Sequence, residues 1–283
     1  MAVTIANVND FGGRAIHWRE QSGSGPTVLL MNGAGLAAEH WDQVVALLPG
    51  RHLVRFDRPG MGGTRWPGTL PTLAEEVRSL TELVRTVGAP AVLVAHSMAA
   101  FHAEALARLR PELVAGLVLV DGSVEFPARP PRAVGVRLIR SLQQIARRAP
   151  VLHLGSLAHR AGASLQSRRL TLRHQWERRV GELYDDPESV AMGLAESAAY
   201  PRQAWDLLAL RRDHPMPDLP VLVLTAADQT VERDWPVRQR RLTRLLGGRQ
   251  LLVEGSDHLM MIDRPEVIAD GVRALLPTDS VDG

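Results

Sequence analysis

Three side chains in this sequence are placed where they could pass a proton from one to the next. Ser97 follows the apolar run at 92–95, Asp228 follows VLVLTAA, and His258 follows LLVEGSD. A serine hydroxyl is a weak nucleophile until an imidazole takes its proton. A buried carboxylate then fixes the tautomer of that imidazole and steadies the imidazolium. Taken singly each residue has an ordinary reading: a helix cap for the serine, a turn for the aspartate, one of ten histidines for His258. Together they stand in the order nucleophile, acid, histidine, each just past the carboxyl end of an apolar run. Around Ser97 the expected G-x-S-x-G pattern carries alanine at both flanks, Ala95 and Ala99. Those positions must be small because strand and helix cross closely around a strained serine, and one methyl group can be accommodated.

The elements that must position these residues are visible as patterns. Two short alternating segments, 3–8 and 14–18, are joined by DFGG, a hairpin turn. Short apolar runs follow at 28–31, 53–56, 92–95, 117–120, 221–225 and 250–253, the form taken by strands buried on both faces of a parallel sheet. Leu73, Val77, Leu80, Val84 and Val87 form a helical stripe that opens on a capping box, Thr72 to Glu75. A last helix begins near Asp263, with Pro265 in its first turn, and runs to about Leu276. The expected fold class is α/β: a mostly parallel sheet with an N-terminal antiparallel hairpin and helices on both faces. From about Ser123 to Met216 only helical patterns occur, with stripes at Leu138, Leu142 and Ile145 and at Leu165, Leu172, Trp176, Val180 and Leu183. This predicts a helical cap at 123–216, inserted into a core domain made of residues 1–122 and 217–283. Such an insertion sits above the strand ends where open α/β sheets bind ligands.

Composition excludes several chemistries. The chain of 283 residues has no cysteine, so disulfides and thiolate chemistry are absent. All 33 basic residues are arginine, which removes lysine-dependent phosphate loops and Schiff bases. A net charge of +2 gives no general case for nucleic acid. His96/His102 and His153/His159 are six apart and do not share a helix face as a zinc-binding pair would, so no metal is expected, and no cofactor fingerprint appears. Neither a signal peptide nor a membrane span is visible, and a cytoplasmic location is the expectation. The oligomeric state is not legible.

With these motifs in hand, the chain resembles a capped member of the α/β-hydrolase superfamily over nearly its whole length. LLMNGAG matches the loop after the third strand, FDRPGMGGT the turn after the fourth, LVLVDGS the exit of the sixth, and HLMMIDRPEVI the catalytic-histidine turn. The resemblance implies that Ser97 is the nucleophile, His258 the general base and then acid, and Asp228 the orienting carboxylate. It implies an oxyanion hole from the backbone N–H groups of Ala34 and Met98. Asp121 is the second candidate for the acid, since some members take it from the end of strand six, although a turn or helix-cap role suits it better. Asn32 replaces the family's histidine and is expected, with Gly33, Trp176 and Tyr200, to contact substrate. For Trp176 and Tyr200 a core position is the competing reading.

The expected activity is serine hydrolysis of an ester, thioester or lactone of a small hydrophobic substrate through an acyl-enzyme on Ser97. The superfamily also hosts carbon–carbon hydrolases, lyases, acyltransferases and cofactor-free oxidative enzymes, and a non-catalytic receptor is a further alternative. A serine at the nucleophile position argues against the dehalogenase and epoxide hydrolase branches, which use aspartate. Between Arg129 and Arg179 there are twelve arginines and one acid, Glu177. That face could draw in an anionic or carrier-linked substrate, or it could simply solvate the helices of an arginine-only chain.

Overall fold

The chain was studied as a computed structural model, which describes residues 4–125, 135–148, 153–167, 181–228 and 234–276. Strands β1 (Thr4–Asp10) and β2 (Ala15–Gln21) pair antiparallel, with Asp10 opposite Ala15. The turn between them needs glycine, because Gly12 and Gly13 have φ of 68° and 81°. Six further strands complete the sheet: β3 (Ser24–Met31), β4 (Arg51–Asp57), β5 (Ala91–His96), β6 (Val114–Val120), β7 (Val221–Ala226) and β8 (Arg249–Val253). Their order is β1-β2-β4-β3-β5-β6-β7-β8. Only the β1–β2 and β2–β4 pairs are antiparallel. Every residue of β5 and β7 is buried, the reason these strands read as unbroken apolar runs.

Helices among the described residues include α1 (Asp42–Ala46), α2 (Leu73–Val87), α3 (Ala99–Leu109), α4 (Val136–Arg148), α5 (Leu154–Ser164), α6 (Pro187–Asp213), α7 (Trp235–Leu245), α8 (Met260–Asp263) and α9 (Pro265–Leu275). The α2 start closes as the sequence pattern requires: the Glu75 amide donates to Thr72 Oγ1 and the Thr72 amide to Glu75 Oε2. Leu73, Val77, Leu80, Val84 and Val87 are all buried, each worth roughly 1.5–3 kcal/mol relative to exposure. Alternate residues of β5 feed two cores. Leu93 and Ala95 join Leu80, Phe101 and Leu242 on the α2, α3 and α7 side; Val92 and Val94 join Val44, Ile268 and Val272 on the α1 and α9 side.

Between β6 and β7 the described residues form helices and no strand, and they carry a third core, in which Ile139, Tyr184 and Met192 meet Met61 and Trp66 from beyond β4. One expectation is corrected here. Leu138, Leu142 and Ile145 face solvent at 64%, 37% and 50% exposure, and α4 instead buries Ile139, Gln143 and Ala146. Both triplets are spaced to share a helix face, and α4 packs through the second onto the small-residue face of α6. Arg140 donates to the Gly68 carbonyl and Arg147 pairs with Glu188, so two of its arginines are tied down. No helix among the described residues is long and apolar enough to cross a membrane.

His40 and His102 are buried, and burial lowers the pKa of each to about 4. In the unfolded chain both bind protons below about pH 6.5, whereas the folded state does not. Their contribution to stability is therefore complete above pH 6.5 and falls with pH toward 4, by roughly 3 kcal/mol each over that window. The urea midpoint should begin to fall near pH 6.5, well above the carboxylate range. An acid limb beginning only below pH 5 would contradict the burial of these imidazoles.

Candidate active site

The tight connection from β5 to α3 leaves one residue at the apex. Ser97 adopts φ of 52°, a left-handed conformation rare outside glycine. Its amide donates to Val120 O at 3.2 Å, and its carbonyl accepts the amides of Ala100 and Ser123 at 3.0 and 2.9 Å. These bonds from two neighbouring elements over-determine the strained backbone. Ala95 and Ala99 are both fully buried, and their methyl groups fit where glycine was expected. Gly33 has no such latitude. A Cβ there would lie 2.7 Å from His96 Nδ1 and 2.9 Å from Ser97 Cβ.

His258 bridges two side chains. Its Nε2 lies 3.0 Å from Ser97 Oγ and its Nδ1 2.6 Å from Asp121 Oδ2. The other oxygen of Asp121 accepts the Ala226 amide at 3.0 Å and Trp235 Nε1–H at 2.7 Å. Asp121 is fully buried and has φ of 45°. With a carboxylate on Nδ1, that nitrogen carries the ring proton and Nε2 is left to accept from the serine hydroxyl. The expected place of Asp228 beside the imidazole is thus taken by Asp121, and the Asp228 carboxylate accepts the Gly255 amide at 2.7 Å. The cause is the geometry of adjacent strand ends. Asp121 is the first residue past β6 and is held by its amide on Leu224 O, whereas Asp228 lies two residues past β7, beside the turn that follows β8.

His96, the residue before Ser97, donates from Nε2 to His258 O at 2.9 Å, and the two rings lie 4.6 Å apart. Burial, and then the neighbouring His258, hold its pKa well below the usual imidazole value. It is a neutral strut under the bridging histidine.

The loop after β3 is fastened from both sides. Asn32 Nδ2 donates to Phe56 O and its Oδ1 accepts Trp41 Nε1–H, at 3.0 and 2.8 Å. Asn32 is 2% exposed, so this side chain is a structural brace, and the expectation that it meets substrate is corrected. Arg58, from the DRPG turn, donates to Asn32 O at 2.7 Å and Gly33 O at 2.6 Å, and its Nε pairs with Glu196. The second Glu196 oxygen accepts the Gly35 amide at 2.6 Å. Burial opposes the Arg58 charge, and Glu196, helped by Glu76 and Asp57, more than offsets it, so the guanidinium pKa is raised. Ala34, between these anchored residues, lines the cavity beside Ser97. Met98 caps α3, whose opening amides have no acceptor within the helix.

A cavity of about 830 Å³ opens over Ser97 and His258. Leu36, Leu165, Val190 and Leu194 line it with aromatic rings of Tyr184 and Tyr200, a size and character suited to a small organic ligand. Tyr200 lines the cavity and also packs on the main core, 5.2 Å from Phe101, and it donates to Glu125 Oε1 at 2.9 Å. Trp176 lies outside the described residues. Among those described, no group of three or more acidic or histidine side chains is placed to hold a metal ion. Sequence reasoning missed Arg58, Glu196 and His96 as members of this site. Arg58 had a signal, its place in the DRPG turn; Glu196, 138 residues away, had none.

The sequence model of the Alpha/beta hydrolase family matches residues 28–271. Two curated relatives are pimeloyl-[acyl-carrier protein] methyl ester esterases. The one from Serratia marcescens is 33% identical over 116 residues, covering 41% of this chain and 44% of its own. The one from Methylococcus capsulatus is 36% identical over 128 residues, covering 43% and 47%. The chain thus matches less than half the length of either. Among solved structures, an epoxide hydrolase superposes with a TM-score of 0.76 at 17% identity, covering 96% of this chain and 98% of that one. At that identity the likeness is one of fold.

Proposed function

Because this chain belongs to the alpha/beta hydrolase family, we propose that it is a serine hydrolase. It cleaves an ester or thioester of a hydrophobic acyl compound through an acyl-enzyme on Ser97. The observation that carries the reading is the continuous line Ser97 Oγ, His258 Nε2, His258 Nδ1, Asp121 Oδ2, with links of 3.0 and 2.6 Å. His258 takes the Ser97 proton as Oγ attacks the carbonyl carbon. The negative oxygen that develops is met by the amides of Ala34 and Met98, each such donor being worth about 3–4 kcal/mol. His258 returns the proton to the departing alcohol or thiol. A water then gives a proton to His258 and attacks the acyl carbon, which releases the acid and restores Ser97. Asp121 holds the ring in the tautomer this requires.

The esterase relatives are named for a methyl ester on a carrier-linked acyl chain, and the apolar walls of the cavity suit an acyl group. The helical segment from α4 to α6 acts as the cap that encloses it. The serine at 97 argues against the epoxide hydrolase and dehalogenase chemistries of the superfamily, for which an aspartate nucleophile is the expectation. Fluorophosphonate labelling tests the reading directly. One phosphonyl adduct should form per chain and map to the Ser97 peptide, and an active protein without label would overturn the mechanism. A p-nitrophenyl ester series should show kcat/KM rising about tenfold or more from acetate to a medium-chain ester, since each buried methylene contributes about 0.8 kcal/mol. A flat series would contradict an acyl group lying in this cavity.

A further inference from the structure

The bonds that fasten the loop beside Ser97 lead outside the sheet. Glu196 lies on α6, within the helical insertion, and is 1% exposed; its partner Arg58 is 3% exposed. One carboxylate oxygen pairs with Arg58 Nε and the other takes the Gly35 amide at 2.6 Å. Arg58 Nη1 and Nη2 donate to the carbonyls of Asn32 and Gly33. Three of the four residues Asn32 to Gly35 are therefore held through one carboxylate of the insertion and one guanidinium, and Ala34 stands between two of them, Gly33 and Gly35. The approach is close as well as polar, since Gly193 of α6 meets Gly35 at their Cα atoms, where a Cβ on either would lie 3.6–3.7 Å away. Buried ion pairs of this kind are weak sources of stability, and their hydrogen bonds hold the paired groups in one geometry.

We propose that Glu196 is a positioning residue for the oxyanion hole: it sets the Ala34 amide through Gly35 and Arg58, so that catalysis depends on the helical insertion being seated. The inference rests on the acyl-enzyme reading of Ser97. The Ser97–His258–Asp121 line does not pass through Glu196, so a fault there leaves the nucleophile and base in place and impairs only the stabilisation of the developing oxyanion. Misplacement of a catalytic group by about 1 Å is enough to cost on the order of 10²-fold.

The test compares the full-length protein with Glu196→Gln, which keeps the acceptor for Gly35 but loses the charge, and Glu196→Asp, which keeps the charge on a shorter arm. Activity is expressed per site titrated with fluorophosphonate, so unfolded protein does not contribute. For Glu196→Gln kcat should fall on the order of 10²-fold with KM nearly constant, and affinity for a trifluoromethyl ketone should fall in parallel. That inhibitor forms an oxyanion on the enzyme, so a purely structural role would not move it in step with kcat. Glu196→Asp should recover part of both. Unchanged kcat and inhibitor affinity per titrated site, or a loss confined to KM or to thermal stability, overturns the inference while leaving the Ser97 reading intact. Failure of the wild-type protein to take the label overturns the Ser97 reading and this inference with it.

Discussion

Ser97→Ala should lower kcat by about 10⁶-fold and abolish fluorophosphonate labelling, with the fold intact. The substitution deletes the attacking oxygen and nothing else. Alanine keeps the Cβ that packs against Gly33, and the backbone at φ 52° remains held by Val120, Ala100 and Ser123. What is lost from the ground state is one hydrogen bond to His258, worth about 1 kcal/mol. The thermal midpoint should thus stay close to that of the wild type while turnover disappears. The residual rate should come from the oxyanion amides and binding alone, still above the uncatalysed reaction. Ester turnover within tenfold of wild type would show that the serine is not the nucleophile. It would favour one of the other chemistries that this fold supports, in which water or a substrate group attacks directly.

The strands that place these residues were legible because burial on both faces forces unbroken apolar runs. The run at 92–95 is one residue short of β5 at each end, and that at 221–225 one residue short of β7. The Ser97 apex was legible from small residues at fixed offsets, and the α2 start from two side chains whose bonds are local. What escaped the sequence was direction. Leu138, Leu142 and Ile145 share a face of α4, but so do Ile139, Gln143 and Ala146, and only packing against α6 decides which is buried. The acid was ambiguous for the same reason. Asp121 and Asp228 both follow strands that lie side by side, and position along a strand does not say where the carboxylate points. The deciding partners are Trp235 and the Ala226 amide, more than a hundred residues from Asp121. Glu196 meets Gly35 across 161 residues, a pairing that no local pattern encodes.

Asp121→Asn should lower kcat about 10⁴-fold, equivalent to about 5.4 kcal/mol of transition-state stabilisation, whereas Asp228→Asn should stay within about threefold of wild type. Asparagine keeps the shape of the buried side chain, and its oxygen can still accept from Ala226 N–H and Trp235 Nε1–H. That orientation turns the amide NH₂ toward His258 Nδ1, where the carboxylate had been. Nδ1 must then accept rather than donate, so the ring proton moves to Nε2, the nitrogen that faces Ser97 at 3.0 Å. The imidazole can no longer take the serine proton, although every residue is in place. At position 228 the amide oxygen still accepts the Gly255 N–H, so the turn survives. Rates and fluorophosphonate labelling kinetics of the two variants separate the candidates, because labelling also needs the serine deprotonated. Slow labelling of the Asp121 variant beside normal labelling of the Asp228 variant is the expected result. The reverse would return the acid to the end of β7 and require a different His258 rotamer in the working enzyme.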